Sequence, residues 1–377
     1  MPACVILKSY CDSNPPILSP AMVPPWHVVC VSTPVGPLGS GLGGGVELTL
    51  TNLATALQQQ GHRVTVIAPA GSTLPGVPLI PVPGALQPIA QNQPRGAPIT
   101  MPASGVLARM WQVVRSHPWD IAINFAYDWL PLYLTPFFTR PVVHLVSMGS
   151  LVDYLDEMVA QLADTYPYRI AMHTQAQART FGAAIAARTR IIGNGLDIAR
   201  YTFCPDPEPV LAWVGRIAPE KGLGDALAVA RQTGYPLRIM GNIHDPDYWQ
   251  QICTQFPEAA TYYQGFFPTE ELQKQLGRCL ALLVTPHWVE AFGNVVMEAL
   301  ACGVPVLSYD LGGPGELVRP GVTGWLVPPG DVAGLAAAVG RVRQINRRVC
   351  RQVAEQEFSL AAFGARVVQW LQEHLAA

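Results

Sequence analysis

The chain has 377 residues, and ordinary domain sizes of about 100 to 200 residues make two domains the expectation. Half of its residues are hydrophobic and only 13% are charged, against a usual share of about 25%, which excludes disorder over most of the chain. Lys and Arg number 24 against 26 for Asp and Glu, so the basic bias of a nucleic-acid partner is missing, and no apolar run approaches the roughly 20 residues of a membrane span.

Residues 1–25 hold six prolines, Pro2, Pro15, Pro16, Pro20, Pro24 and Pro25, without a periodic apolar pattern. They are expected to form a mobile extension, with Met22 a candidate start inside it. Eight cysteines include no CxxC pair, and the N-terminus lacks the basic region and apolar stretch of a signal peptide, so reduced thiols in a cytoplasm are expected.

From His27 onward, residues 27–33, 44–60 and 64–69 read strand, helix, strand, which implies a right-handed parallel unit. Strands are expected again at 121–125, 141–146 and 190–192, with helices at 103–116 and 151–164. A polar, proline-containing stretch at 202–209 separates these from a second series, with strands at 210–214, 237–240, 280–285 and 304–309. Its helices fall at 223–232, 269–277, 295–302 and 332–344. The pattern predicts two doubly wound α/β domains, 26–201 and 202–357, facing across a cleft, with ligands beyond the C-terminal strand ends. In 358–377, Leu360, Phe363, Val367, Leu371 and Leu375 recur at helical intervals, so one apolar side packs on a domain. Arg341, Arg343, Arg347, Arg348 and Arg351 also keep helical spacing and read as a solvated helix face, with an anionic membrane or partner surface as the alternative.

Gly39, Gly41 and Gly44 satisfy the dinucleotide pattern GxGxxG in form. The extra residues 34–38 before it, and a second strand ending Ile67-Ala68-Pro69 without a ribose-binding acid, argue against a nicotinamide cofactor. What stays open for Gly43-Gly44-Gly45 is a loop whose N–H groups approach an anion at the start of the helix containing Glu47, or a permissive turn.

Gly215-Arg216 follows a strand and Lys221-Gly222 precedes a helix, which places two cations at a C-terminal strand edge where a diphosphate can lie. The chain has only three lysines, Lys8, Lys221 and Lys274, so one here carries weight against a plain surface ion pair. Glu290 and Glu298 bracket a loop and a helix start, with Asn294 expected to cap a helix from Val295 and Gly303 to end it. Carboxylates accept from sugar and ribose hydroxyls, and the amides of Phe292, Gly293, Asn294 and Val295 at a helix N-terminus suit phosphate or sugar oxygens.

Gly43-Gly44, Gly61-His62-Arg63-Val64, Asn194-Gly195-Leu196-Asp197, Gly215-Arg216 to Lys221-Gly222, Glu290 to Glu298 and Gly312-Gly313 stand in the order of family 4 of the retaining glycosyltransferases, which the chain resembles over about residues 27–357. The resemblance implies the GT-B fold, a nucleotide-sugar held mainly by the C-terminal domain, and a last helix that crosses back to the first domain. It implies that Arg216 and Lys221 hold the diphosphate, Glu290 a donor-sugar hydroxyl, Glu298 the ribose, and backbone near Phe266 and Phe267 the base. Gly44 and Gly215 belong to the same donor site. No metal and no cofactor beyond the nucleotide-sugar substrate is implied.

The chain departs from the family where histidines are usual, in the loops after the strands ending near Phe125 and Val146; Tyr127 and Ser147 stand there, with Asp128 beside them. His144 reads as a hydrogen-bonded core residue, and His173, at a strand end, as one that can reach the cleft. This lining is aromatic and mildly polar without a basic patch, which fits a small, flat, neutral acceptor, and it resembles that of cyanobacterial enzymes that glucosylate tetrahydrobiopterin from UDP-glucose. The expected activity is therefore a cytoplasmic, metal-independent transfer of glucose from UDP-glucose to a small hydroxylated acceptor such as a pterin. Transfer from a GDP- or UDP-sugar to a lipid or polysaccharide, and a non-catalytic nucleotide-sugar sensor, are the alternatives.

Overall fold

The computed structural model describes residues 24–375 except 89, 91, 92, 101 and 103, so the expected mobile extension lies almost wholly outside the described residues. The first sheet contains β1 (His27–Val31), β2 (Arg63–Pro69), β3 (Leu79–Val82), β4 (Ile121–Asn124), β5 (Val142–Leu145), β6 (Ile170–Met172) and β7 (Arg190–Ile191). The second contains β8 (Leu211–Val214), β9 (Leu237–Met240), β10 (Tyr263–Gly265), β11 (Ala281–Val284), β12 (Val306–Tyr309) and β13 (Gly324–Val327). The strand orders are β3-β2-β1-β4-β5-β6-β7 and β10-β9-β8-β11-β12-β13, and every pairing is parallel.

Each sheet reverses its winding once, between β1 and β4 and between β8 and β11. Such switch points open a crevice at the C-terminal strand ends. The chain leaves β1 into the glycine loop and β8 into Gly215-Arg216, so both motifs lie at these crevices. The central strands are buried throughout, as in β4, β5 and β11, because helices cover both faces.

Sequence pattern missed the elements that break the usual rules. The edge strand β3 carries Pro81, β6 and β10 are three residues long, and β13 begins on Gly324. The expected single helix over 332–344 stops at Arg341 and tightens into a 3₁₀ turn, Val342–Gln344.

The last helix, Leu360–Leu375, lies against the first helix, Gly45–Gln59. Leu360, Phe363, Val367, Trp370 and Leu371 are buried in one core with Val28, Leu50, Leu53 and Leu57. Trp370 Nε1 donates to Tyr168 O at 2.8 Å and Arg366 to Ile192 O at 2.8 Å, so polar contacts fix the register of this apolar seam.

The five C-terminal arginines do not form one solvated helix face. Arg341 ends one helix and stacks over Trp325, whereas Arg347 and Arg351 belong to another, Arg347–Glu357. Arg347 donates to the carbonyls of Cys204, Cys279 and Gly277, and Arg351 to those of Tyr201 and Ala301. Two of the five are thus clamps, satisfying carbonyls that neighbouring helix ends leave without partners. Among the described residues no helix is long and apolar enough to cross a membrane.

Candidate active site

Gly222 has φ +64°, and a Cβ there would stand 1.9 Å from Thr285 O, so only glycine lets the loop after β8 lie on the loop after β11. That close approach brings Lys221 onto Glu290, with which it forms an ion pair. Trp288 completes the cluster: its Nε1 donates to Glu290 Oε2 at 3.1 Å, and the Lys221 ammonium sits 4.9 Å from its ring centroid. Arg216 pairs with Glu220 at 3.2 Å. Both cations are part-exposed at the C-terminal edge, so an anionic ligand meets them already oriented by carboxylates.

Gly312 repeats the device. At φ +66° it lies so close to Glu290 that a Cβ would come 2.5 Å from the Glu290 N and O atoms, while Gly313 N–H donates to Glu290 O at 2.7 Å. The helix Asn294–Ala301 then follows, one residue earlier than expected, with Gly293 rather than Asn294 as its cap. The Asn294 side chain is turned across the cleft instead. Its Oδ1 accepts from Asn194 Nδ2 at 2.9 Å, and Asn194 Nδ2 also reaches Thr49 Oγ1 at 2.9 Å. No side chain caps this helix, and its start faces that of Gly45–Gln59 through Asn294 Nδ2 to Gly45 O at 3.5 Å. Two positive helix ends therefore border the same space.

Glu298 is 7% exposed, and Tyr201 donates its hydroxyl to it at 3.1 Å. Burial pushes its carboxyl up to about 7. At the edge strand β10 the chain exits through Gly265 to Phe266, which is 61% exposed, and Phe267, which packs on the core.

On the first-domain side the glycine loop departs from the expected anion cradle. The N–H groups of Gly39, Gly41 and Gly43 donate to the Glu47 carboxylate at 2.7, 3.3 and 2.7 Å, and Gly44 N–H closes a turn on Gly41 O at 3.1 Å. A carboxylate of the chain itself fills the nest.

The acceptor-side candidates divide. Asp128 caps the helix Trp129–Leu134 by accepting from Leu130 N–H at 2.9 Å, and the Tyr127 ring packs edge-on to Phe181 at 6.4 Å, with burial holding its hydroxyl well above the ordinary range. Ser147 and His173 meet: Ser147 Oγ lies 3.0 Å from His173 Nε2, whose ring stands 5.7 Å from Phe292. His144 is the core residue expected, held between Asn124 at 3.1 Å and Thr135 at 2.8 Å, and burial pushes it down to about 3. A cavity of about 490 Å³ opens between the domains, lined by Leu151 on one side and Arg216, Glu220, His244 and Trp288 on the other.

Trp288, Tyr201 and Glu316, whose carboxylate accepts from the Gln175 and Ala176 N–H groups across the cleft, are not legible as site residues. Trp288 stands two positions before Glu290, which is the one signal available; Tyr201 and Glu316 are brought in only by packing.

Residues 43–200 match the family model of Glycosyltransferase Family 4, and residues 199–356 that of Glycosyl transferases group 1. Among curated proteins, the glycogen synthase of Mycobacterium tuberculosis is 29% identical over 364 residues, spanning 84% of this chain and 87% of that protein. A GDP-mannose-dependent alpha-mannosyltransferase of Mycolicibacterium smegmatis is 29% identical over 337 residues, spanning 78% and 83%. Among solved structures, Anabaena HepE in complex with UDP superposes with a TM-score of 0.72 at 21% identity, over 92% of this chain and 100% of that one. Sucrose-phosphate synthase from Thermosynechococcus elongatus does so with 0.72 at 18%, over 93% and 99%. At these identities the structural likeness establishes the fold, two Rossmann-like domains in the GT-B arrangement.

Proposed function

Because the chain belongs to the GT-B glycosyltransferases of the family 4 type, we propose that it moves glucose from UDP-glucose to a small neutral hydroxylated acceptor, with retention and without a metal ion. The observation that carries this reading is the cluster of Lys221, Glu290 and Trp288 beside Arg216, at a switch point bordered by two helix N-termini. Lys221 and Arg216 suit the diphosphate, Glu290 a sugar hydroxyl, Glu298 the ribose, and the backbone at Phe266 and Phe267 the base.

The bond from the anomeric carbon to the diphosphate oxygen breaks as the acceptor oxygen bonds to that carbon on the same face. The acceptor proton passes to the departing phosphate oxygen. The charge released is met by preorganised cations and helix ends, so loss of Arg216 or Lys221 costs about 100-fold or more in turnover. UDP as the base-bearing half is supported by the neighbouring HepE structures, which hold UDP, UDP with glucose, and UDP-glucose.

A neutral acceptor is supported by Glu47, whose carboxylate occupies the N–H groups that a phosphorylated acceptor would need. One observation favours a second reading, transfer to a polysaccharide: Tyr133, on the helix Trp129–Leu134, and Phe137, in the 3₁₀ turn after it, are exposed with ring centroids 5.5 Å apart, just beyond the acceptor-side loop.

The deciding experiment crosses UDP- and GDP-sugars with reduced pterins, sugar phosphates and glucans and reads products by mass. A hexosyl-pterin from UDP-glucose supports the first reading and an extended glucan the second. Absence of any transfer, with no slow hydrolysis of donor, leaves a nucleotide-sugar sensor.

A further inference from the structure

Gln177 is completely buried, yet every polar atom of its side chain is used on the Ser147 loop or on His173. Its Nε2 donates to Val146 O at 2.7 Å and Met148 O at 3.0 Å, the carbonyls on either side of Ser147, while its Oε1 accepts from His173 N–H at 2.8 Å. His173 Nδ1 lies 2.8 Å from Gly193 O and so carries the ring proton, because a carbonyl only accepts. Nε2 is then an acceptor, and the Ser147 hydroxyl must donate to it. Burial holds His173 down to about 4, so this arrangement persists at neutral pH. Ser147 is part-exposed, so its Oγ keeps lone pairs for a further donor.

The segment that carries Gln177 also grips the second domain. Thr174 Oγ1 donates to Ala291 O at 2.8 Å, next to Glu290, and the N–H groups of Gln175 and Ala176 donate to the Glu316 carboxylate at 3.1 and 2.5 Å. One short stretch thus holds the Ser147 loop with one side chain and the Glu290 loop with another.

We propose that Gln177 is a positioning residue for sugar transfer: it fixes Ser147 as a hydrogen-bond acceptor for a substrate hydroxyl and ties the place of that hydroxyl to the Glu290 loop across the cleft. The proposal rests on the reading above, in which the cleft between these loops holds the donor and acceptor. It also makes Ser147 selective in kind, since an oxygen whose proton is committed to His173 accepts from a hydroxyl and has nothing to donate to a carbonyl.

The test is a double-mutant cycle on full-length protein, following UDP release from UDP-glucose, together with amide hydrogen exchange over residues 146–149 and 290–292. Ser147→Ala is expected to lower kcat about 10- to 100-fold, Gln177→Met to lower it comparably with donor KM within about 3-fold, and the double variant to lose no more than Ser147→Ala alone. Exchange in both loops is expected to quicken in Gln177→Met. A structural role would make the two losses multiply, and that result, or unchanged exchange, overturns the proposal. If Gln177→Met does not fold, Thr174→Val reads the same coupling from the Glu290 side, with multiplying losses again decisive against it. An unaffected Ser147→Ala, by contrast, removes Ser147 from the substrate and with it the proposal, while no UDP release by the wild type refutes the donor and leaves exchange to decide on Gln177.

Discussion

Glu298 couples stability to pH and, in the proposed donor site, would couple donor recognition to it as well. Its carboxyl, raised by burial to about 7 from 4.5, keeps a proton in the folded chain that the unfolded chain has already released between those values. Folding stability therefore falls as pH rises through this window and stays lower above it. Glu298→Gln cannot ionise, keeps an acceptor for Tyr201, and is expected to gain up to about 3 kcal/mol over wild type at pH 8 and almost nothing at pH 4.5, measured by urea unfolding. The same variant should lose the pH dependence of donor KM, which in wild type improves as pH rises through 7 and the carboxylate becomes available to ribose hydroxyls.

Glu47 offers a second residue-level check. With its carboxylate removed in Glu47→Ala, the N–H groups of Gly39, Gly41 and Gly43 have no acceptor in the chain and form an anion nest. Inorganic phosphate is expected to inhibit this variant at least about 10-fold more tightly than wild type, read as Ki against donor. Equal inhibition would show that the loop excludes anions for another reason.

At the scale of elements, the site is a set of loops held together by glycines. Gly312→Ala forces a Cβ into backbone 2.5 Å away at a left-handed φ, and the contact is with the peptide of Glu290 itself. We expect a destabilisation of about 1 to 3 kcal/mol in thermal unfolding and a loss of turnover beyond what that destabilisation explains, since Glu290 and its partner Lys221 move together. The last helix is a second such element. Phe363 is fully buried against the first helix and lies over Gly195, so Phe363→Ala should cost about 3 to 5 kcal/mol, checked by denaturant unfolding.

These elements also show what local pattern can and cannot carry. Helix periodicity found Thr269–Gly277 to the residue and the apolar side of the last helix, because burial repeats every turn. It missed β3, β6, β10 and β13, where a proline, lengths of three and a leading glycine leave too little repeat to detect. Asn294 was misplaced for a different reason: a cap is a local expectation, and the asparagine is spent on Asn194, 100 positions away in sequence.

At the scale of the whole molecule, sparse charge is concentrated into structural and functional use. Arg347 holds carbonyls of the second domain and Arg351 ties Tyr201 to Ala301, so removing their charges should destabilise the fold rather than detach it from a lipid surface. Arg347→Ala is expected to lower stability by about 2 kcal/mol or more, while Arg343→Ala, at an exposed site, stays within about 0.5 kcal/mol. Binding to anionic vesicles lost in Arg343→Ala at unchanged stability would restore the surface reading.

The alternation of strand and helix by itself determined that this chain is two parallel α/β domains, and the order of its motifs, through the family they resemble, implied the GT-B type and singled out Gly215-Arg216, Lys221 and the stretch from Glu290 to Glu298 as the candidate site. These are local properties: alternation of strand and helix, glycines where loops turn, charges next to strand ends. Only the tertiary structure decided that Lys221 faces Glu290 and Trp288, that Glu47 fills the glycine loop, and that Gln177 stands behind Ser147. Each of those partners is set by how loops from separate strands come to rest on one another, and no repeat along the chain encodes that packing.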